Sequence, residues 1–213
     1  MINLENVNKS YGNNVVFENF SLRLNENEIT AILGESGVGK TTLLNMISGL
    51  SEYSGKITGN AKSFSFIFQE DRLLPFKTVN ENLQFVLGSG DYTEALVKAG
   101  LENCGNKYPS ELSGGMARRV SVLRAFLFKS QIILMDEPFS GLDLGTKYKV
   151  MNYFLQMWKK DGRTAVMVTH NIDEAIYLAG RILVIGKKGT ILFDNNNEGE
   201  KTRLEIEKLF CCQ

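Results

Sequence analysis

The first thirty residues alternate apolar and polar positions (Ile2, Leu4, then Val15, Phe17, then Leu22, Leu24), with Tyr11-Gly12-Asn13-Asn14 as a turn between the runs. Period-two alternation broken by turn residues predicts short antiparallel strands. A compact apolar run from Ile29 to Leu33 reads as a buried strand. It leads through a glycine-rich turn into helical character over Lys40 to Ser48, stopped by Gly49. Further β-rich runs fall at Phe64 to Phe68, Ile132 to Met135, Thr164 to Val168 and Arg181 to Ile185, separated by helical stretches such as Thr146 to Lys160 and Asp173 to Ala179. Such alternation predicts an α/β fold with a largely parallel sheet flanked by helices.

Between Asp71 and Lys129 the β pattern is missing, and Asn80 to Leu87, Tyr92 to Ala99 and Met116 to Phe128 look helical. Residues 71–129 are therefore expected to form a helical subdomain inserted in a single domain spanning residues 1–213. The polar, asparagine-rich stretch Asp194 to Glu200 reads as a loop, followed by a short amphipathic helix from Thr202 to Phe210.

Composition narrows the function. A chain of 213 residues with 43% hydrophobic content can bury one ordinary core. Lys plus Arg and Asp plus Glu balance at 24 each, which argues against nucleic acid or an anionic membrane surface as the main partner, so any phosphate site has to be local. Cys104, Cys211 and Cys212 form neither a C-x-x-C pair nor an even disulfide set, and no charged-then-apolar leader follows Met1. A reducing cytoplasm is the expected setting, with the tail cysteines reduced and exposed. No apolar run approaches the roughly 20 residues that cross a bilayer, so work at a membrane is expected to go through a partner.

The stretch Gly34-Glu35-Ser36-Gly37-Val38-Gly39-Lys40-Thr41 matches G-x-x-x-x-G-K-[ST], after an apolar strand and at a helix start. Glycines let successive N–H groups converge on one centre, and the helix dipole adds positive potential there. A polyphosphate is the natural guest, with Lys40 toward the β and γ phosphates, Thr41 in a magnesium shell and Thr42 supporting an α-phosphate contact.

The strand Ile132 to Met135 ends in Asp136-Glu137, two acids that packing does not need. Asp136 is expected to hold magnesium through water, and Glu137 to accept a proton from the water attacking the γ phosphate. Gln69, after another predicted strand, offers an amide oxygen to the metal. His170, the one histidine, follows Ala165 to Thr169 and is placed to donate to the γ phosphate and align Glu137.

These residues, with Leu112-Ser113-Gly114-Gly115-Met116, Ser140-Gly141-Leu142-Asp143 and their order, resemble the ATPase subunits of ATP-binding cassette (ABC) transporters over nearly the whole chain. The resemblance implies a P-loop NTPase (RecA-like) core with an N-terminal antiparallel β subdomain. It also implies Mg2+-dependent ATP hydrolysis in a homodimer or heterodimer of cassettes. Ser113, Gly114, Gly115 and Asp143 then act in trans on the partner's nucleotide, although Ser113 as a plain helix cap accounts for it locally. Tyr11 falls where the family stacks an aromatic ring on adenine, with Val16 beside it. Met116 departs from the usual glutamine, Asn171 from an aspartate and Gly180 from another.

Gln69 to Phe76 resembles importer ATPases for nitrate, sulfonate, taurine and thiamine precursors. Leu73, Leu74 and Phe76 either receive a helix of a membrane subunit or are buried in the insertion. The resemblance places the chain at the cytoplasmic face of the membrane, held by integral permease subunits, with an extracytoplasmic solute-binding protein as a further partner. The short tail is expected to lack the regulatory domain of some sugar-importer relatives. A soluble ABC-type ATPase acting on DNA or the ribosome is the alternative; a GTPase or small-molecule kinase would leave L-S-G-G without a role.

Overall fold

In the computed structural model, which describes residues 1–59 and 63–211, two β-sheets share one helix layer. The N-terminal alternation becomes β1 (Ile2–Tyr11) and β2 (Asn14–Leu24), an antiparallel pair running from Tyr11↔Asn14 to Ile2↔Leu24. A third strand, β4 (Ser54–Gly59), joins the outer edge of β1. Its sequence carries no alternating pattern, and sequence reasoning missed it.

The main sheet has the order β5-β6-β7-β3-β8-β9. Its strands are β3 (Ile29–Leu33), β5 (Phe64–Ile67), β6 (Ile132–Asp136), β7 (Thr164–Val168), β8 (Arg181–Ile185) and β9 (Ile191–Asn196). All neighbours pair in parallel except β9, which runs antiparallel to β8. In β3, β6 and β7 every residue is buried. A strand covered by layers on both faces needs a continuous apolar run, which is why these three were visible in the sequence.

One difference concerns Asp194 to Glu200, expected as a loop. Asp194, Asn195 and Asn196 instead complete β9, opposite Leu183, Ile182 and Arg181. Main-chain pairing to β8 and a bidentate contact from the Arg181 guanidinium to the Asp194 carboxylate, both arms 2.7 Å, hold this polar edge. Edge strands can be polar because one side faces water.

The helices are α1 (Lys40–Ile47), α2 (Val79–Leu87), α3 (Thr93–Lys98), α4 (Gly114–Leu127), α5 (Leu144–Asp161), α6 (Ile172–Leu178) and α7 (Glu200–Cys211). Alternate residues of the main sheet feed two cores. Ile32, Leu134, Val166 and Leu183 pack toward α1 and the antiparallel sheet, while Ala31, Ile133, Met167 and Val184 pack toward α4, α5, α6 and α7. A satellite core of Val79, Leu83, Leu96, Leu101, Val120 and Leu123 lies among α2, α3 and α4. Helix α4 thus belongs to two cores, with Val122 and Phe126 turned to the sheet and Val120 and Leu123 to the satellite.

Cys104 is buried and Cys211 exposed, both as free thiols; Cys212 lies outside the described residues. Among the described residues no helix is long and apolar enough to cross a membrane.

Candidate functional site

The phosphate loop ends at Gly39, the residue before α1, with φ +108. A Cβ there would overlap a Val16 methyl, so the turn and the close approach both require glycine. Helices α2, α4, α5 and α6 are each capped by a side chain (Thr78, Ser113, Asp143, Asn171), whereas α1 has no side-chain cap and no acid in its first turn. Its first amides are left for an anion.

Ser36, Gly37, Gly39, Lys40, Thr41, Thr42, Gln69, Asp136, Glu137 and His170 line one open cleft of about 370 Å³. The strand order produces this meeting: β7 pairs in parallel with β3, and β6 with β7, so the C-terminal ends of β6 and β7 deliver Asp136-Glu137 and His170 to the same sheet edge as the loop that follows Leu33.

Lys40 is mostly buried, and its ammonium donates to the carbonyls of Gly34 at 2.7 Å and Glu35 at 2.8 Å. Burial lowers its pKa, and the charges of Glu137 and Asp136 oppose the shift. Asp136 is pushed the other way: burial raises its carboxyl, the Thr41 hydroxyl holds it down, and Glu137 adds repulsion. Glu137 adopts φ +46 in the turn after β6, its amide donating to the Val168 carbonyl at 2.9 Å. That left-handed conformation, uncommon outside glycine, aims the side chain across the cleft. There Oε1 lies 2.9 Å from His170 Nδ1, with the imidazole 66% exposed.

A stability measurement checks the Asp136 environment. Because its folded-state pKa is raised, ionisation weakens the fold as pH climbs from the ordinary aspartate value of 3.8 through the folded one. Asp136→Asn removes that burden. The nucleotide-free variant is expected to gain about 1 kcal/mol, or ~2–4 °C in Tm, at neutral pH, with the gain vanishing below the usual aspartate range. An equal Tm at pH 7 would contradict this account.

The remaining predicted residues lie elsewhere. The Tyr11 hydroxyl is in contact with Ser51, beyond the end of α1, and with Thr42 in its first turn, and both hold the phenol pKa down. One face of its half-exposed ring carries Lys9, 4.6 Å from the centroid. Val16 is buried under Gly39 and does not line the cleft. Glu35 and Val38 border a separate recess with Ile185, Gly186 and Phe210, and a Cβ at Gly34 would press on the Ile185 carbonyl.

Ser113 and Gly114 are exposed at the start of α4 and do not line the cleft. The Ser113 hydroxyl accepts from the Met116 amide at 3.3 Å, as the Asp143 carboxylate does from the Thr146 amide at 3.0 Å. The predicted donors therefore form two groups in one chain.

Sequence reasoning missed the grip on Gln69. Arg118 of α4, 4% exposed, donates to the carbonyls of Phe68, at 2.6 Å, and Gln69, and lies 3.2 Å from the Asp71 carboxylate. Arg124, two turns on, donates to the carbonyls of Asp71 at 3.0 Å and Arg72 at 3.1 Å. Asn82, also buried, bonds the main chain of Leu74, Lys77 and Thr78.

Residues 17–140 match the family described as ABC transporter. The aliphatic sulfonates import ATP-binding protein SsuB 1 of Pseudomonas savastanoi pv. phaseolicola is 36% identical over 197 residues, covering 90% of this chain and 83% of that one. The SsuB protein of Bacillus subtilis is 38% identical over 189 residues, covering 82% and 74%. Two solved structures, a dimeric bacterial ABC transporter cassette and a dimeric post-hydrolysis cassette bound to ADP and Pi, each superpose with a TM-score of 0.79. Both are 31% identical and cover 93% of this chain and 100% of theirs. The phosphate loop, the Asp136-Glu137 strand end and the uncapped α1 thus sit in a chain that belongs to the ABC transporter family, as one of its ATP-hydrolysing subunits.

Proposed function

We propose that two cassettes, identical or different, close head to tail around two ATP molecules and drive import by separate permease subunits. The carrying observation is the uncapped N-terminus of α1 facing the Glu137–His170 pair, while the Ser113 donors stand outside that cleft. Lys40, Thr41 and Thr42 with the loop amides of Gly34 to Gly39 hold the phosphates, and Tyr11 offers its open face to adenine. Glu137 takes the proton of the attacking water through the carboxylate oxygen that His170 leaves free. Ser113, Gly114, Gly115 and Asp143 serve the nucleotide of the partner subunit.

Magnesium fits the donors present. Thr41, Asp136 and Gln69 offer only oxygen, and no trio of His, Cys, Asp or Glu that could hold a metal occurs among the described residues. A hard cation that keeps most of its shell for water and substrate phosphates suits so sparse a set. Bound there, it neutralises phosphate charge.

Residues 71–129 are proposed to move as a unit on the core, with Phe76, 72% exposed, meeting a helix of the permease. This puts the chain peripherally at the cytoplasmic face of the membrane, served by an extracytoplasmic solute-binding protein. The names of the curated relatives point to a sulfonate-like solute.

Shared sites are tested by complementation. Lys40→Ala and Ser113→Asp are each expected to be inactive alone; aspartate keeps the cap of α4 but repels phosphate. Mixed in equal amounts, random pairing rebuilds about a quarter of the wild-type composite sites, because each mixed dimer holds one intact Lys40–Ser113 combination. Turnover that stays at zero on mixing would count against sharing.

A further inference from the structure

Glu174 is a carboxylate that the proposed hydrolytic chemistry does not use, yet it is 2% exposed. It lies in the first turn of α6 with both oxygens engaged. Oε1 is 2.6 Å from the Lys147 ammonium, and Oε2 accepts from the Thr169 hydroxyl at 2.9 Å. That hydroxyl accepts in turn from the Asn171 amide at 3.1 Å, and the Asn171 side chain caps the Glu174 amide at 3.1 Å. His170 stands between Thr169 and Asn171. Its own side chain is exposed, so the backbone that carries it is fixed by these neighbours.

Lys147 comes from α5, one turn after Asp143. A cation this close to a helix N-terminus opposes the dipole, and burying an ion pair gives little net stability over an apolar pair of similar size. Its placement is explained by what it connects. The same turn holds Thr146, whose methyl fills the space a Cβ at Gly115 would need. One helical turn therefore abuts Gly115 through Thr146, is capped by Asp143 and reaches the His170 loop through Lys147.

We infer that Lys147 and Glu174 are positioning residues for His170: their ion pair, with Glu174 buried and Lys147 partly so, ties the His170 loop to the first turn of α5, bringing the imidazole onto Glu137. The assignment rests on the hydrolytic role proposed above for Glu137 and His170. It adds a device that registers the imidazole against Asp143 and Gly115.

The test uses Lys147→Met, the neutral pair Lys147→Met/Glu174→Gln, and Lys147→Arg. Lys147→Met leaves a buried carboxylate without its counter-charge and lowers Tm. The neutral pair restores Tm, because glutamine still accepts from Thr169. In both, kcat is expected to fall about tenfold or more with the KM for ATP within about twofold, the signature of lost alignment rather than lost binding. Lys147→Arg, which keeps the ion pair, regains most of kcat.

His170 is the one histidine in the chain, so in tag-free protein a single imidazole signal reports its contact with Glu137 by NMR without any turnover. That signal is expected to move in the neutral pair and to stay in Lys147→Arg. If kcat recovers together with Tm in the neutral pair, or the imidazole signal is unmoved, the inference is overturned. A wild-type chain that hydrolyses no ATP would speak instead against the proposed function, leaving the imidazole readout to judge the ion pair.

Discussion

Glu137→Gln is expected to lower ATP turnover by about two to four orders of magnitude, the range over which a positioned general base contributes. Glutamine is close in shape and its amide offers both an acceptor and a donor, so it can meet His170 Nδ1 in either tautomer, and the 2.9 Å contact and the turn at φ +46 survive. Only the proton acceptor is lost. Lys40, Thr41 and the loop amides are untouched, so nucleotide binding holds and the closed state is not discharged. In gel filtration the variant is therefore expected to elute as a dimer with Mg-ATP and as a monomer without it. Unchanged turnover would remove Glu137 from the role of base; a monomer in saturating Mg-ATP would count against shared sites.

The parts of the fold legible in the sequence were those whose burial dictates composition. Ile29–Leu33 and Thr164–Val168 are covered on both faces, so every position had to be apolar or small and their limits could be read directly. Ser54–Gly59 and the end of β9 are held at sheet edges by main-chain pairing, which leaves the side chains free to be polar and the sequence without period.

The cleft was legible for a related reason. Its loop, metal-side and base residues sit at strand ends, where an apolar run stops abruptly at a polar group. Arg118 and Arg124 lack that contrast, since an arginine on a helix ordinarily faces solvent, and only the fold brings the main chain of Phe68 and Gln69 against Arg118 and that of Asp71 and Arg72 against Arg124. Gly115 shows the converse. Sequence reasoning gave it one purpose, presenting an amide to phosphate, whereas Thr146 gives it a second, because nothing larger fits between α4 and α5.

Arg118→Ala tests the grip on Gln69 through stability. Arg118 bonds two main-chain carbonyls and faces Asp71, whose carboxyl is raised by burial and held down by Arg118 and, next, Arg124. Alanine leaves the carbonyls short of a donor, the carboxylate short of its nearest counter-charge, and a space where the guanidinium lay. Breaking a buried charged contact costs about 3–5 kcal/mol. With Arg124 still beside Asp71 the lower end applies, about 3 kcal/mol, which for a domain of this size is ~6–12 °C in Tm.

The pH dependence of that loss identifies its cause. A carboxyl whose folded pKa is raised loses its contribution as pH rises through that value, and removing Arg118 raises it further. The deficit is therefore largest at neutral pH and narrows as pH falls toward the ordinary aspartate value of 3.8. Arg118→Lys keeps a positive charge near Asp71 but has no fork to span the carbonyls of Phe68 and Gln69, so it recovers the pH-dependent part of the loss and not the remainder. A Tm for Arg118→Ala indistinguishable from wild type at pH 7 would mean that α4 does not hold the Gln69 segment.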